Sequence, residues 1–109
     1  MSSLIFNPGA GPSWARGITF SFANGVMVSI QAHKHAYSKR DPKDPDGATL
    51  VEVAALYDDG EWATNDVLGL KNDEEKGIWH DDVLPFQTPD EVLAFMVKCA
   101  AMPSKGGAQ

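Results

Sequence analysis

The chain holds a single cysteine, Cys99, so no disulfide can close within it. Burial and hydrogen bonding must hold the fold, and a lone thiol fits a reducing compartment. No stretch approaches the roughly 18 consecutive apolar residues that a membrane span needs. The first residues, Met1 to Pro8, carry neither a basic segment nor a long apolar run, so no signal peptide is expected. Positive charge is scarce too. Nine Lys and Arg stand against fifteen Asp and Glu, giving a formal net charge of −6 and a pI near 4.8. Such a chain repels phosphates instead of displacing their counterions, so direct nucleic-acid binding is not expected. Catalytic signatures are missing as well. There is no Gly-x-Ser-x-Gly elbow, P-loop, dinucleotide fingerprint or Cys-x-x-Cys pair, and Gly9, Gly11 and Gly17 do not match a phosphate-binding spacing.

What remains is the material of one small domain. At 109 residues the chain is of single-domain size, and 43% apolar residues suffice for a modest core. Leu4-Ile5-Phe6 is a short edge strand, followed by a Pro- and Gly-rich loop to Ser13. Gly17 to Phe22 and Val26 to Ala32 alternate apolar and polar residues around Asn24-Gly25, the turn pair of a tight hairpin. Asp41 to Gly47 is rich in Pro and Asp and reads as loop. Thr49 to Tyr57 is a strand with Val51, Val53, Ala55 and Tyr57 on one face. Its other face is apolar except for Glu52, which predicts a central strand covered on both sides. Asp59-Gly60 turns a second hairpin, with a return strand from Glu61 to Ala63 continuing at Val67 to Leu70. Gly77 to His80 is a short strand, and Val83 to Phe86 leads into a helix.

That helix has a sharp start. Thr88 is an N-cap, Pro89 suits the first helical position, and Glu91 completes a capping box. Pro103 ends it, giving a helix over about 89–102. Its apolar residues, Val92, Leu93, Phe95, Met96, Val97, Cys99, Ala100 and Met102, span an arc of roughly 220°, about twice what one-sided packing needs. The helix is either deeply embedded or offers a second apolar edge. The expected class is α+β: a small antiparallel sheet of four or five strands on one C-terminal helix, as a single domain over 1–103 with a flexible tail over 104–109.

Four segments resemble a family of small phage and prophage proteins of unknown function. Trp14 to Gln31 is similar to its tryptophan, strand, Asn-Gly turn and "VSVQ"-like strand. Glu52-Val53-Ala54 and Asp59-Gly60-Glu61-Trp62 resemble its "EVA" and "DGxW" motifs. Thr88 to Val92 resembles its "TPDEV" helix start. Together these cover 30 of the 109 residues. Where the family has a Gly-Asn-Tyr-Cys-like stretch, this chain has Ala32 to Tyr37, so a site there does not carry over. The resemblance implies a phage accessory protein in the bacterial host cytoplasm and brings no activity.

Several side chains invite chemistry. His33 and His35 would share one strand face, and His80, Asp81 or Asp82 would have to supply a further metal ligand. Without the spacing of known zinc sites, exposed strand-end residues are the favoured reading. Asp41, Asp44 and Asp46 fail as a calcium loop, because Pro42 and Val53 fall where ligands belong. Cys99 as a nucleophile with His80 as base fails because it lies on the apolar helix face. Charge is unevenly placed. Residues 1–47 carry five bases and three acids, and residues 48–109 carry four and twelve. From Asp58 to Asp82, nine acids face two lysines. Asp58, Asp59, Glu61, Asp73, Glu74, Glu75, Asp81 and Asp82 form a candidate binding face for a basic partner, with Trp14 and Trp79 as anchors. A merely solubilising surface is the simpler alternative.

The leading expectation is a non-enzymatic protein, without cofactor, that binds a host macromolecule through an acidic or apolar surface and self-associates through the C-terminal helix. The alternatives are an oligomer that sequesters a nucleotide or metal through His33 to Arg40, and a small hydrolase built on His33, His35 and the acids near His80.

Overall fold

The computed structural model describes residues 4–5, 17–33 and 36–104. The loop before Ser13, Trp14, His35 and the tail from Lys105 lie outside them. The architecture is the expected one, an antiparallel sheet covered by a C-terminal helix. Its strands are β1 (Leu4–Ile5), β2 (Gly17–Ser21), β3 (Val26–Gln31), β4 (Lys39–Asp41), β5 (Asp44–Tyr57) and β6 (Leu84–Gln87). The helices are α1 (Thr64–Leu68) and α2 (Pro89–Ala100). The main path runs β1-β5-β3-β2, and β4 and β6 also pair with β5.

Strand β5 is central, as its apolar run predicts. Val51, Val53, Ala55 and Tyr57 are buried beside Val26, Val28 and Ile30 of β3. Val92, Phe95 and Cys99 of α2 close this core from above. Each fully buried Val or Phe contributes about 1.5–3 kcal/mol relative to exposure. The second face of β5 is less covered than the sequence suggests. Ala54 is buried, but Leu50, Glu52 and Leu56 are only half-buried. The neighbours of this face on β3 are Met27, Ser29 and Gln31.

The backbone of β5 is satisfied on both edges. Even-numbered residues from Glu52 to Leu56 face β3 in unbroken register. Odd-numbered residues find four different partners. Val51 and Val53 pair with β6. The Ala55 N–H donates to Thr64 Oγ1 at 2.9 Å, and its carbonyl accepts from Ala63 N at 2.8 Å. The Tyr57 N–H donates to the Glu61 carbonyl at 2.7 Å. Thr64 is fully buried, and its hydroxyl donates onward to the Asp82 carbonyl at 2.6 Å. One hydroxyl therefore stands in for a missing strand.

Four readings need correction. The return strand after Gly60 is reduced to one bridge, Leu56–Trp62, because Thr64 to Leu68 coil into α1. Ala63 and Val67 are four apart, a helical spacing that turns both toward the core. Gly69, at φ +70°, ends this helix. The segment from Asp41 to Gly47 is not a loop throughout. Asp41 Oδ1 accepts from Lys43 N at 2.8 Å, closing a tight turn from β4 straight into a longer β5. Ile78 forms one bridge with Asp73, not a strand. Leu84 to Gln87 is a full strand despite Pro85, because three steps of β6 match two of β5 between Val53 and Val51. The extra residue forms a bulge, with Phe86 at φ +53°.

The Asn-Gly hairpin also differs in kind. Gly25 N–H donates to Phe22 at 3.1 Å and Phe22 N–H to Val26 at 2.9 Å, so the connection has three residues and only Gly25 takes positive φ, +84°. Asn24 is needed for its side chain. Its amide donates to the carbonyls of Cys99 at 2.9 Å and Met102 at 2.8 Å, while its oxygen accepts from Val26 N at 3.0 Å. The hairpin tip thus adds a donor at the C-terminal end of α2, where the Cys99 carbonyl also accepts from Met102 N at 3.2 Å. At the other end the capping box is complete, with Glu91 N to Thr88 Oγ1 at 3.2 Å and Thr88 N to Glu91 Oε1 at 3.0 Å.

Replacing Thr64→Val leaves the Ala55 N–H and the Asp82 carbonyl buried without this partner. Denaturant unfolding should show a loss of about 2–4 kcal/mol. Asn24→Ala should cost about 1–2 kcal/mol, at least as much as Thr88→Ala at about 1 kcal/mol. A neutral Thr64→Val would refute the role given to that hydroxyl.

Candidate functional site

The chain leaves the sheet at Tyr57 and returns at Leu84, beside the strand it left. The excursion between them holds the acidic run. Its path is fixed by backbone bonds. Asp59 Oδ1 accepts from Glu61 N at 3.0 Å, and Gly60, at φ +90°, completes that turn. Helix α1 follows, anchored by Thr64 below and by Tyr57 Oη donating to Asp66 Oδ2 at 2.5 Å. Farther out, Asp73 and Ile78 exchange both backbone bonds at 2.8 and 2.9 Å around Glu74, Glu75 and Lys76. Asn72 Oδ1 accepts from His80 N at 2.7 Å, and Asn65 donates to the His80 carbonyl at 3.2 Å. Among the described residues the buried Asn65 side-chain oxygen has no hydrogen-bond partner.

The geometry turns the acids outward. Asp58, Asp59, Glu61, Asp66, Glu74, Glu75 and Asp81 are exposed, and Asp73 and Asp82 are half-buried. The same excursion exposes Trp79 at 65%, Trp62 at 49%, Ile78 at 41% and Leu70 at 37%. The predicted acidic residues and Trp79 are therefore exposed or half-buried along one chain segment. Half of Trp62, which bridges to Leu56 across the Gly60 turn, lies open. Large apolar side chains set among carboxylates are poor at solubilising and good at anchoring a partner.

Among the described residues, His33 and His80 belong to no group of metal ligands. His33 follows β3, where its N–H donates to Ser38 Oγ at 3.2 Å, and His80 lies in the excursion. Among the described residues no three His, Cys, Asp or Glu side chains are placed to hold a metal ion. An open groove of about 390 Å³ lies beside the hairpin tip, between Phe22, Asn24, Met27, Asp58 and Ser104. Asp58 is its one carboxylate among the lining residues, and the Asn24 amide is already committed to α2.

One further feature was not legible as a site, and another, the second apolar edge of α2, was an open alternative. Tyr37 and Phe86 are both more than half exposed and meet edge to face at 6.1 Å and 62°, tied by Phe86 N donating to the Tyr37 carbonyl at 3.0 Å. The wide apolar arc of α2 resolves into two stripes. Val92, Phe95 and Cys99 are buried, whereas Leu93 and Val97 are 63% and 62% exposed. The helix offers a second apolar edge and is not deeply embedded.

No helix among the described residues is long and apolar enough to cross a membrane. The chain matches no protein-family profile, no curated protein and no solved structure.

Cys99 is fully buried, and burial pushes its thiol up from 9.0 to about 11. The folded state therefore favours the protonated thiol. This contribution to stability is complete below about pH 9 and is lost as pH rises toward 11. Stability measured across that window should fall more steeply for the native chain than for Cys99→Ala. Equal slopes would show that the thiol is not protected.

Proposed function

We propose that this chain is a non-enzymatic accessory protein of the phage type, which binds a basic surface of a host protein through the excursion from Asp58 to Asp82. The observation that carries this reading is the joint exposure of seven acids with Trp62, Ile78 and Trp79 on one chain segment anchored at both ends to β5. Carboxylates steer a basic partner and set orientation, while the two indoles supply the desolvated contact that carries affinity. The phage assignment rests on the sequence resemblance alone. A bacterial cytoplasmic setting follows from it and suits a lone, buried thiol. The exposed Leu93–Val97 stripe adds an apolar surface for the same or another contact.

An enzymatic reading finds less support. The one cysteine is buried and protonated, and the described histidines are held apart from any group of three ligands.

The test is capture from bacterial lysate by immobilised chain, with the bound protein identified and its affinity measured against salt. Binding should weaken at least tenfold between about 0.05 and 0.5 M NaCl. Glu74→Lys with Glu75→Lys should remove the salt dependence, and Trp79→Ala should weaken binding at every salt concentration. A partner indifferent to salt and to all three substitutions contradicts this reading.

A further inference from the structure

Strand β2 ends the sheet. It pairs with β3 on one side, and no described strand pairs with its other side. The parity of its hydrogen bonds is set by the hairpin. Phe22 N–H donates to Val26, so Phe20 and Ile18, opposite Val28 and Ile30, also point their backbone groups at β3. Gly17, Thr19 and Ser21 point theirs outward. All five residues of β2 are exposed. Native edges are guarded by Lys, Pro, a bulge or an inward charge. Between Gly17 and Ser21 there is none of these, and the register with β3 is unbroken.

We propose that the outer edge of β2 is a homodimer interface, where two copies pair antiparallel about a twofold axis at Thr19 and extend the sheet across the dimer. The argument for a second copy is self-complementarity. Thr19 is the midpoint of the strand and one of its outward residues. A twofold axis there sets Thr19 against its own mate and Gly17 against Ser21, and both contacts are hydrogen-bonded pairs. About six backbone bonds form. The same operation sets Ile18 of each copy opposite Phe20 of the other. These two side chains lie on the core face of the sheet, on the side of Val28 and Ile30, yet stay 43% and 38% exposed. A β-branched residue facing an aromatic is a stabilising cross-strand pair. The contact is isologous and closes at two copies, so it does not propagate into a fibre. The Leu93–Val97 stripe of α2 is a poorer self-association surface, because it presents two large side chains and no unpaired strand backbone.

The test uses the full chain. Sedimentation from about 1 µM to about 1 mM should show the mass rising from 11.8 kDa toward twice that value. Thr19→Pro removes an outward N–H without touching the β3 ladder, a position where edge proline is tolerated. It should raise the dissociation constant at least tenfold and leave the thermal midpoint of the dilute monomer within a few degrees. Thr19→Cys in a Cys99→Ala background should oxidise to a covalent dimer, since hydrogen-bonded pairs sit about 5.5 Å apart, within disulfide range. Ser21→Cys in that background should not, because its mate lies across from Gly17. A monomer at every concentration overturns the proposal. So does cross-linking through Ser21→Cys as readily as through Thr19→Cys, or a dimer broken by Leu93→Asp but untouched by Thr19→Pro.

Discussion

The structure depends on satisfying both backbone edges of β5. A buried N–H or carbonyl without a partner costs about 1–3 kcal/mol, so a central strand of this length cannot leave one edge bare. One edge is solved by β3 in plain register. The other is assembled from β6, the Ala63 N–H, the Thr64 hydroxyl and the Glu61 carbonyl. This mosaic has a functional consequence. Because the edge is closed by short pieces, the chain between Tyr57 and Leu84 is free to bow outward, and that bow carries the acidic and aromatic surface.

The helix is tied to the sheet by two polar devices at its ends and an apolar stripe between them. Thr88 and Glu91 close the N-terminal end. The Glu91 carboxyl is held below its ordinary value by its hydrogen bonds to Thr88, so the box is intact in the ionised state and weakens as acid protonates it. Asn24 closes the other end from the hairpin tip. Between them Val92, Phe95 and Cys99 are buried, and nothing in that arrangement needs Leu93 or Val97 to be apolar. Their exposure is surplus to the fold, as is that of Ile18 and Phe20.

Features set by nearest neighbours were readable from the residues. The capping box, the alternation of β2 and β3 and the central character of β5 needed no tertiary information. Features set by distant partners were not. Pro85 argued against β6 because its bulge exists only in register with Val51 and Val53. Thr64 drew no reading, because a hydroxyl that mimics a strand has no local signature. Asn24 was read for its φ angle, when its value lies 75 residues away at Cys99. The acidic surface was legible as charge, and Trp79 as a candidate anchor. The exposure of Trp62 was not legible, because it depends on α1 replacing the return strand. The free edge of β2 was not legible, since a strand shows its place in a sheet only once its neighbours are known.

Strand β5 is sealed on both edges, and among the described residues β2 is paired on one. Amide hydrogen exchange on a dilute, monomeric sample reads this residue by residue. Ala55 should rank with the slowest amides through its bond to Thr64, Ile18 and Phe20 should be protected, and Thr19 between them should exchange at nearly the rate of an open chain. A fast Ala55, or a Thr19 as protected as its two neighbours, would contradict it.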